Sequence, residues 1–389
     1  MSDSETQQIP TIELGFLTST QPTTTIFKRS QSKIQNPKSK IGRPTPHSPL
    51  LITMLCQELI LSTFDFSPYQ LGIPQQSGLM TVVPIFGGHN KSKYTGPLTG
   101  LKLNRVTGYG SVELANPADS GIAIVPLHIG YIQDGAQNHA LCRSAFIAGG
   151  QKLMFEDACC VQQSQGGYLE GREQWFFILP VQLRLEALQL RGQKSYSKLW
   201  NAISRLNQQF NLPNRGHLEQ IITRQRAFLT QYQSRFELLE NQTGALFFLG
   251  DKLAGIEIAP TAAYFQEMWM PLVCFCYGTA AMYFEQKAGN LTEQQPVPFA
   301  ASNLRELRFQ LQQSRQKLQE QVLSQLAATP AEKFNLQEEE RFCELRLQTA
   351  IGNNFAGQFV EDGGQLVYAS LFAKPEYILS KNLTPLAAA

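Results

Sequence analysis

Two short segments hold the residue types best able to bind or transform a ligand. Gln137 and Asn138 carry amide groups that both donate and accept hydrogen bonds, so they could read the amide or hydroxyl edge of a ligand. Cys160 is a candidate nucleophile beside His139, although no base near it in the sequence supports that role, and Gln163 adds a third amide. The alternative is a turn whose polar side chains cap strand ends, with Cys160 as a buried thiol. These five residues are the candidate ligand-binding set.

The sequence lacks the signatures of several common enzyme classes. It contains no GxxxxGK(S/T), GxGxxG, HExxH or GxSxG pattern, so phosphate-loop, dinucleotide, zinc-protease and hydrolase motifs are missing. No Cys-x-x-Cys occurs among the seven cysteines, and we predict no metal site. The sequence leaves both the cofactor and the question of enzymatic activity open.

Charge and cysteine usage narrow the class of protein. The formal net charge is +2, and six basic residues without an acid lie between Phe27 and Leu50, which leaves the rest of the chain near neutrality. A near-neutral body argues against nucleic acid as its main partner. An odd number of cysteines, several in apolar runs, indicates reduced and mostly buried thiols and therefore a cytoplasmic protein.

The first 53 residues differ in composition from the rest. They are rich in Pro, Ser, Thr and Gln with little apolar periodicity, so we predict a disordered basic leader over residues 1–53. Such a basic run could also serve as a tail for a membrane surface or nucleic acid. The most apolar window, Met268 to Phe284, is interrupted by Pro271 and Gly278 and is shorter than the roughly 20 residues of a membrane span. It therefore predicts a buried core helix, and no membrane span is expected.

Residues 55–190 are rich in strand signals. Short apolar runs alternate with turn dipeptides such as Gly87-Gly88 and Asn116-Pro117. The segment Val181–Glu186 alternates apolar and polar residues, which predicts a half-buried strand. The other predicted strands are the runs 79–86, 98–103, 122–129, 141–147 and 175–179.

Residues 195–240 have a helical period instead. Apolar side chains recur at helical spacing from Leu199 to Phe210 and again from Leu218 to Leu239, predicting two amphipathic helices packed on the β layer. Gly250-Asp251 lies between two apolar runs and predicts a hairpin within a segment 244–286 that also holds the core helix, with Thr261 as its cap.

The C-terminal part combines a long helix with a hairpin, within 300–373. The Gln-rich segment 304–328 predicts a surface helix, with a coiled-coil contact as the alternative, and Asp362-Gly363-Gly364 predicts a closing hairpin. Together these elements predict one α+β domain over residues 54–380. Its core would be an antiparallel β-rich layer, sandwich-like or a mixed sheet, with amphipathic helices packed on it.

Two segments resemble a known family. The sequence around the candidate residues and the hairpin segment Thr243–Gly255 are similar to the ARG and Rhodanese-Phosphatase-superfamily-associated protein domain, over residues 66–373. The resemblance implies a prokaryotic, bacterial protein of unassigned activity. Association with ADP-ribosylglycohydrolase and rhodanese-phosphatase domains implies a place in NAD or ADP-ribose metabolism. Gln137, Asn138, Cys160 and Gln163 match the family pattern, whereas its acidic residues and Lys before the Gln-Asn pair are replaced here by His128–Tyr131 and Ala136.

Two hypotheses for the function follow. The first is a domain that binds or processes a nucleotide-derived metabolite at the Gln137-Asn138 turn. The second is a non-enzymatic interaction or scaffold module that contacts a protein partner through the helix 304–328 and the basic leader. His and Asp, which often act as catalytic acids and bases, are scarce in the sequence. This scarcity favours the non-enzymatic hypothesis over a catalytic one.

Overall fold

The computed structural model describes residues 65–88, 93–132, 137–163, 175–287 and 300–379. The predicted leader, residues 1–53, lies outside these ranges. The described strands are β1 (Tyr69–Leu71), β2 (Gln75–Ser77), β3 (Met80–Gly87), β4 (Tyr94–Thr95), β5 (Lys102–Gly108), β6 (Ser111–Ala115), β7 (Ile122–Ile124), β8 (Ile129–Ile132), β9 (His139–Ala140), β10 (Phe146–Ala148), β11 (Lys152–Phe155), β12 (Cys159–Cys160), β13 (Trp175–Ile178), β14 (Gln242–Leu249), β15 (Lys252–Ile258), β16 (Asn335–Phe342), β17 (Leu345–Ile351), β18 (Phe355–Asp362) and β19 (Gln365–Ala373).

The described helices follow the β-rich first half and also separate β15 from β16. They are α1 (Val181–Gln189), α2 (Trp200–Gln209), α3 (Glu219–Arg224), α4 (Arg226–Arg235), α5 (Ala262–Met270), a π-helix (Pro271–Tyr277), α6 (Gly278–Lys287), α7 (Leu304–Ala328) and α8 (Pro375–Leu379).

A large antiparallel sheet organises the core. Within the described ranges it holds nine strands in the order β1-β3-β14-β15-β19-β18-β17-β16, with β2 paired to β3. The central strands β14 and β15 are buried along almost their whole length, as expected for continuous apolar runs. The fold is therefore α+β with antiparallel sheets and packed helices, as the sequence predicts.

Smaller sheets lie between β3 and α1 in the chain. Among the described residues these are β10-β7-β4, β11-β6-β5 and β12-β9-β8-β13, all antiparallel except for the pair β4 and β7. The last of them contains His139 and Cys160, and the other three candidate residues lie within three residues of its strands. The predicted run 122–129 is in fact two strands, β7 and β8, separated by a turn at which His128 has a positive φ of 63°.

Two strand predictions are displaced, since 98–103 overlaps β5 and 141–147 overlaps β10 by only two residues each, and a third is wrong in type. Val181–Glu186 is the first part of helix α1 and not a half-buried strand. Pro180 precedes the helix, where its missing N–H costs nothing, and its carbonyl accepts a 2.8 Å hydrogen bond from the Leu183 N–H. The buried positions of α1 include Val181, Arg184 and Ala187, which have helical spacing. Because the buried stripe of α1 includes the polar residue Arg184, apolar and polar residues alternate locally in the sequence, as they do in a half-buried strand.

The second amphipathic segment is also divided. Gln225 separates α3 from α4, and the chain has left the helix by Phe236, whose backbone is extended. Phe228 was predicted on the apolar stripe, but its side chain is 59% exposed. The interruption at Gln225 shifts the phase of the stripe, so the residues after it no longer all face the body.

The hairpin and the core helix agree with the sequence. Leu249 pairs with Lys252 across Gly250-Asp251, and the Thr261 hydroxyl accepts a 3.1 Å hydrogen bond from the Tyr264 N–H at the start of α5. Phe247 and Trp269 are buried as predicted. A π-helix was not foreseen: it begins at Pro271, which has no N–H to offer the preceding turn. In the part of the chain that is described, no helix combines the length and apolar character needed to cross a bilayer.

Candidate functional site

The structure brings His139 and Cys160 together. They are direct partners across the antiparallel pair β9 and β12, so their side chains project from the same face. Next to them the Val161 N–H donates a 2.9 Å hydrogen bond to the Asn138 carbonyl. The two segments singled out in the sequence are thus neighbouring chains of one small sheet.

Both nitrogens of the His139 ring face the backbone. Nε2 accepts a hydrogen bond from the Gly110 N–H at 3.3 Å, so the proton is on Nδ1, which lies 3.3 Å from the Gln137 carbonyl. Burial of the ring lowers the pKa of His139 to about 4. His139 is therefore a neutral ring that joins two backbone segments.

Cys160 is also turned towards the backbone. Its thiol is fully buried and donates to the Gln162 carbonyl at 3.3 Å, and burial raises its pKa. In this arrangement the Cys160 thiol and the His139 ring are each engaged by the backbone, so the geometry is that of a structural pair.

The amide side chains lie at different depths. Gln137 and Asn138 are 3% and 1% exposed, whereas Gln163 is half-buried. The Gln163 side-chain oxygen accepts a 2.9 Å hydrogen bond from the Gly216 N–H, and the Gln163 backbone N–H donates to the Gly216 carbonyl at 3.0 Å. Gln163 thus marks the outer end of the β9–β12 pair, where it meets the segment before α3.

Three aromatic side chains line the surface beside this pair, and we call them the aromatic surface: Tyr109, Tyr196 and Trp200. Tyr109 and Tyr196 are 54% and 36% exposed, and their ring centroids are 4.9 Å apart. The Tyr196 ring lies 5.4 Å from Trp200 in an edge-on arrangement. Exposed aromatic rings in contact with one another are a common platform for planar ligands.

The backbone of β12 holds the aromatic surface in place. The Trp200 ring N–H donates to the Cys160 carbonyl at 3.0 Å, and the Cys160 N–H donates to the Tyr196 carbonyl at 2.9 Å. Gly110 and Gly216 leave room for the rings, because a Cβ at either position would press on Tyr196 or Trp200. Sequence reasoning missed this surface because Tyr109 and Tyr196 are far apart in the chain; only the i, i+4 spacing of Tyr196 and Trp200 hinted at it.

A second polar cluster lies inside the core, and we call it the Arg184 network. The fully buried Arg184 guanidinium donates to Glu257 at 2.6 Å, to Ser370 at 2.5 Å and to His128 Nδ1 at 3.1 Å. The Tyr277 hydroxyl donates to the same Glu257 oxygen at 2.7 Å. The network therefore joins α1, β15, the π-helix and β19.

The Arg184 network serves packing more directly than ligand binding. Its charges are compensated inside the core, and the Arg184 guanidinium also lies 4.5 Å from the Phe372 ring centre. Burial lowers the pKa of His128 and the nearby Arg184 charge lowers it further, so this ring is neutral. The sequence signal that could have revealed the cluster is a charge inside each of two apolar runs, Leu183-Arg184-Leu185 and Ile256-Glu257-Ile258.

Metal-binding geometry is not found in the described ranges, where no three His, Cys, Asp or Glu side chains could hold an ion together. Of the cysteines that are described, Cys343 is exposed and the others are buried free thiols: Cys142, Cys159, Cys160, Cys274 and Cys276.

One known protein family matches most of the described chain. The family model of the ARG and Rhodanese-Phosphatase-superfamily-associated Protein domain, ARPP-1, matches residues 68–372. The chain belongs to this family. The ARPP-1 match begins just before β1 and ends in β19, so it includes the aromatic surface and the Arg184 network. A search of the curated proteins found no match, and a search of the solved structures found none either.

Proposed function

We propose that this protein binds a nucleotide-derived metabolite, of the NAD or ADP-ribose class, at the aromatic surface. The observation that carries the proposal is the pair of exposed rings in contact, Tyr109 and Tyr196, of which Tyr196 is hydrogen-bonded through its carbonyl to the Cys160 N–H. Exposed aromatic rings that the backbone holds still lose little entropy when a ligand stacks on them.

A nucleotide fits the chemistry of the surroundings. An adenine or nicotinamide ring would stack on Tyr109 or Tyr196, an interaction worth about 1–3 kcal/mol per base. The half-buried Gln163 amide at the end of the β9–β12 pair can donate to a ribose hydroxyl. Arg215, exposed and adjacent to Gly216, supplies a positive charge for a phosphate.

The buried candidates have a supporting role in this proposal. His139 and Asn138 set the position of β9 against β12 and of Gly110 beneath Tyr196, and they have no direct contact with the ligand. We therefore propose binding and not a reaction at Cys160, whose thiol is protonated and buried.

Calorimetric titration of the full chain with ADP-ribose and with NAD tests the proposal. A ligand present at about 100 times its dissociation constant should stabilise the protein by about 2.7 kcal/mol in a thermal shift assay. Tyr196→Ala should weaken binding roughly tenfold, since one lost stacking contact is worth about 1–3 kcal/mol.

Phe309→Ala is the matched control, because this aromatic is 59% exposed but lies on α7, away from β12 in the chain. It should leave the affinity unchanged. Absence of any stabilisation by either compound, or equal losses for Tyr196→Ala and Phe309→Ala, would contradict the proposal.

A specific observation also favours the second hypothesis, an interaction module. Helix α7 has 25 residues, but of these only Val322 and Leu326 are buried, and Leu304 and Phe309 are 71% and 59% exposed. A helix whose fully buried residues lie only near its C-terminal end gains little tertiary stabilisation in its first turns, so a partner would complete it. Hydrogen exchange of residues 304–320 is the discriminating measurement: slow exchange in the isolated protein argues against the need for a partner.

A further inference from the structure

Two buried thiols face each other at one end of the small sheet that carries the candidate residues. The Sγ atoms of Cys142 and Cys159 are 3.1 Å apart, and both side chains are almost fully buried. Cys159 belongs to β12 and pairs with Ala140, two residues before Cys142. The sheet register, and not a chance approach of two loops, therefore holds the sulfur atoms in contact.

A single ammonium group lies next to the pair. Lys198 Nζ donates to the carbonyls of Leu190, Gln193 and Asp157 at 2.9, 2.5 and 2.8 Å, and it also interacts with the Cys142 thiol. Because three carbonyls hold the ammonium group, its positive charge stays close to the sulfur atoms. A fixed cation beside a thiol favours its thiolate, the nucleophilic form.

The two thiols are not equivalent. The hydrogen bond from Cys159 lowers the pKa of Cys142, with Lys198 adding to the effect, whereas the same bond and burial raise the pKa of Cys159 well above its usual range. Burial and the nearby Asp157 carboxylate oppose the lowering at Cys142, and Cys142 remains the more readily deprotonated thiol of the pair.

We propose that Cys142 and Cys159 form an oxidisable dithiol, a modification site whose substrate is a hydroperoxide and whose product is an intramolecular disulfide. Lys198 is bonded to the carbonyls of Leu190 and Gln193, so the segment 190–198 lies beside the pair. Residues 192–196 of this segment are exposed, and Gly192 is tied to Asp157 by a 2.8 Å hydrogen bond. A small oxidant needs only a local opening of this segment to reach Cys142.

The reaction balances with hydrogen peroxide as the oxidant. The Cys142 thiolate attacks one peroxide oxygen, so that an S–O bond forms, the O–O bond breaks and hydroxide leaves, giving a sulfenic acid. The Cys159 sulfur then attacks the Cys142 sulfur: an S–S bond forms, the S–O bond breaks, and the proton of Cys159 leaves with the oxygen as water. The hydroxide takes up the proton that Cys142 released on ionisation, so that overall two thiols lose two electrons and one peroxide becomes two waters.

The product would change the sheet that carries the aromatic surface. A Cys142–Cys159 bond ties β12 to the chain that follows β9, one residue away from Cys160, whose backbone holds Tyr196 and Trp200. Closing a loop of this size restricts the unfolded chain, so the oxidised protein should melt several degrees above the reduced one.

The test uses the full chain in the Cys343→Ser background, which removes the exposed thiol among those described. The folded protein is treated with hydrogen peroxide, the remaining thiols are alkylated after denaturation, and a non-reduced digest is analysed by mass spectrometry. We expect a peptide linked through Cys142 and Cys159, two hydrogens lighter than the sum of its parts. Dithiothreitol should remove the link and the rise in melting temperature.

Serine variants distinguish Cys142, the thiol that attacks the peroxide, from Cys159, the thiol that closes the disulfide. Cys159→Ser should accumulate a sulfenic acid at Cys142 that dimedone traps, whereas Cys142→Ser should leave Cys159 unmodified. Cys274 is the internal control, because it is buried like the pair and burial raises its pKa to about 11. It should stay reduced throughout.

Wild-type mapping decides the matter even if a serine variant misfolds. The proposal is overturned if Cys142 and Cys159 both remain alkylatable after peroxide treatment, if Cys274 oxidises as fast as Cys142, or if the link forms only when the protein is unfolded first.

Discussion

A buried arginine is the most demanding single residue in this molecule. Arg184 is removed from water completely, and its charge is tolerated because Glu257 faces it at 2.6 Å and Ser370 and His128 each accept a further hydrogen bond from it. Removing one partner of a buried ion pair costs more stability than replacing both partners with apolar residues, because the remaining charge stays buried without a counter-charge.

Arg184→Met should therefore destabilise the protein by about 3–5 kcal/mol. In the double variant with Glu257→Gln, the orphaned charge is gone, so the loss should be smaller than in the single variant. Urea denaturation measures both. Arg341→Met removes an arginine from an exposed pair with Glu338 and serves as the control, with an unchanged midpoint expected. A double variant less stable than Arg184→Met would show that the Glu257 charge is not the cause.

His139 makes the stability depend on pH. Burial holds its pKa near 4 in the folded protein, below the value of about 6.5 in an unfolded chain. Between these values the unfolded state binds a proton that the folded state refuses, so stability is complete above pH 6.5 and is lost as the pH falls towards 4. His139 alone contributes roughly 3 kcal/mol to this loss.

The pH dependence is measured by urea denaturation at a series of pH values, with His139→Gln as the variant. Gln keeps an acceptor for the Gly110 N–H but does not titrate, so the variant should lose less stability between pH 6.5 and 4. His128 also has a lowered pKa and keeps part of the slope in both proteins. Parallel curves for the two proteins would contradict the assignment.

Some of the candidate site was predictable at the level of residues. The closeness of His139 and Cys160 follows from apolar runs that alternate with turns, which favour neighbouring antiparallel strands. Burial of the Cys160 thiol was one of the two alternatives that the sequence offered, whereas burial of His139 was not predictable, because a sequence does not say which end of a strand reaches the solvent. The Arg184 network was hidden because its members come from five distant segments.

Among the elements, the π-helix depends most on one neighbouring glycine. The Tyr277 ring stacks on Phe247 with 4.1 Å between centroids, and its hydroxyl lies over Gly255 on the way to Glu257. A side chain at position 255 would collide with this hydroxyl. The Thr243–Gly255 segment thus ends in a glycine for a steric reason.

Gly255→Ala should destabilise the protein by about 1–3 kcal/mol, the usual cost of inserting a methyl group into a packed core. Gly108→Ala is the matched control, since a Cβ there meets no atom within 4 Å and the position also lies in a strand. Thermal unfolding of both variants gives the comparison. Similar melting temperatures would mean that Tyr277 moves aside freely.

Element prediction failed where the local pattern was ambiguous. The order apolar-polar-apolar in Val181–Glu186 fits a strand, and only Pro180 and the helical spacing of the residues that follow favour α1. The hairpin at Gly250-Asp251 was predicted correctly because Gly-Asp between two apolar runs is typical of a hairpin. Helix α7 was predicted correctly because its 25 residues are too many for a strand.

For the whole molecule, the N-terminal boundary is the open prediction. All described strands and helices lie at or after Tyr69, and the family match begins at residue 68. We therefore expect a chain that starts at Met54 to have the melting temperature of the full chain, measured by calorimetry. A lower value for the shortened chain would show that residues 1–53 stabilise the body.

The overall class was predictable because strand and helix signals segregate along the chain, but the strand order was not. Nothing local in the sequence indicates that β19 pairs with β15 instead of staying only beside β18. Pairings between distant strands are decided by the fit of whole apolar faces, which no single segment encodes.

That strand order has a consequence during synthesis. β15 leaves the ribosome early, but its outer neighbour β19 is made only after the helices from α5 to α7 and three further strands. Until then the apolar strand β15 has an open edge that can pair with other nascent chains. A message cut short after α7 would therefore yield a product prone to aggregate, and the cell's chaperones would have to shield that edge until translation reaches the last hairpin.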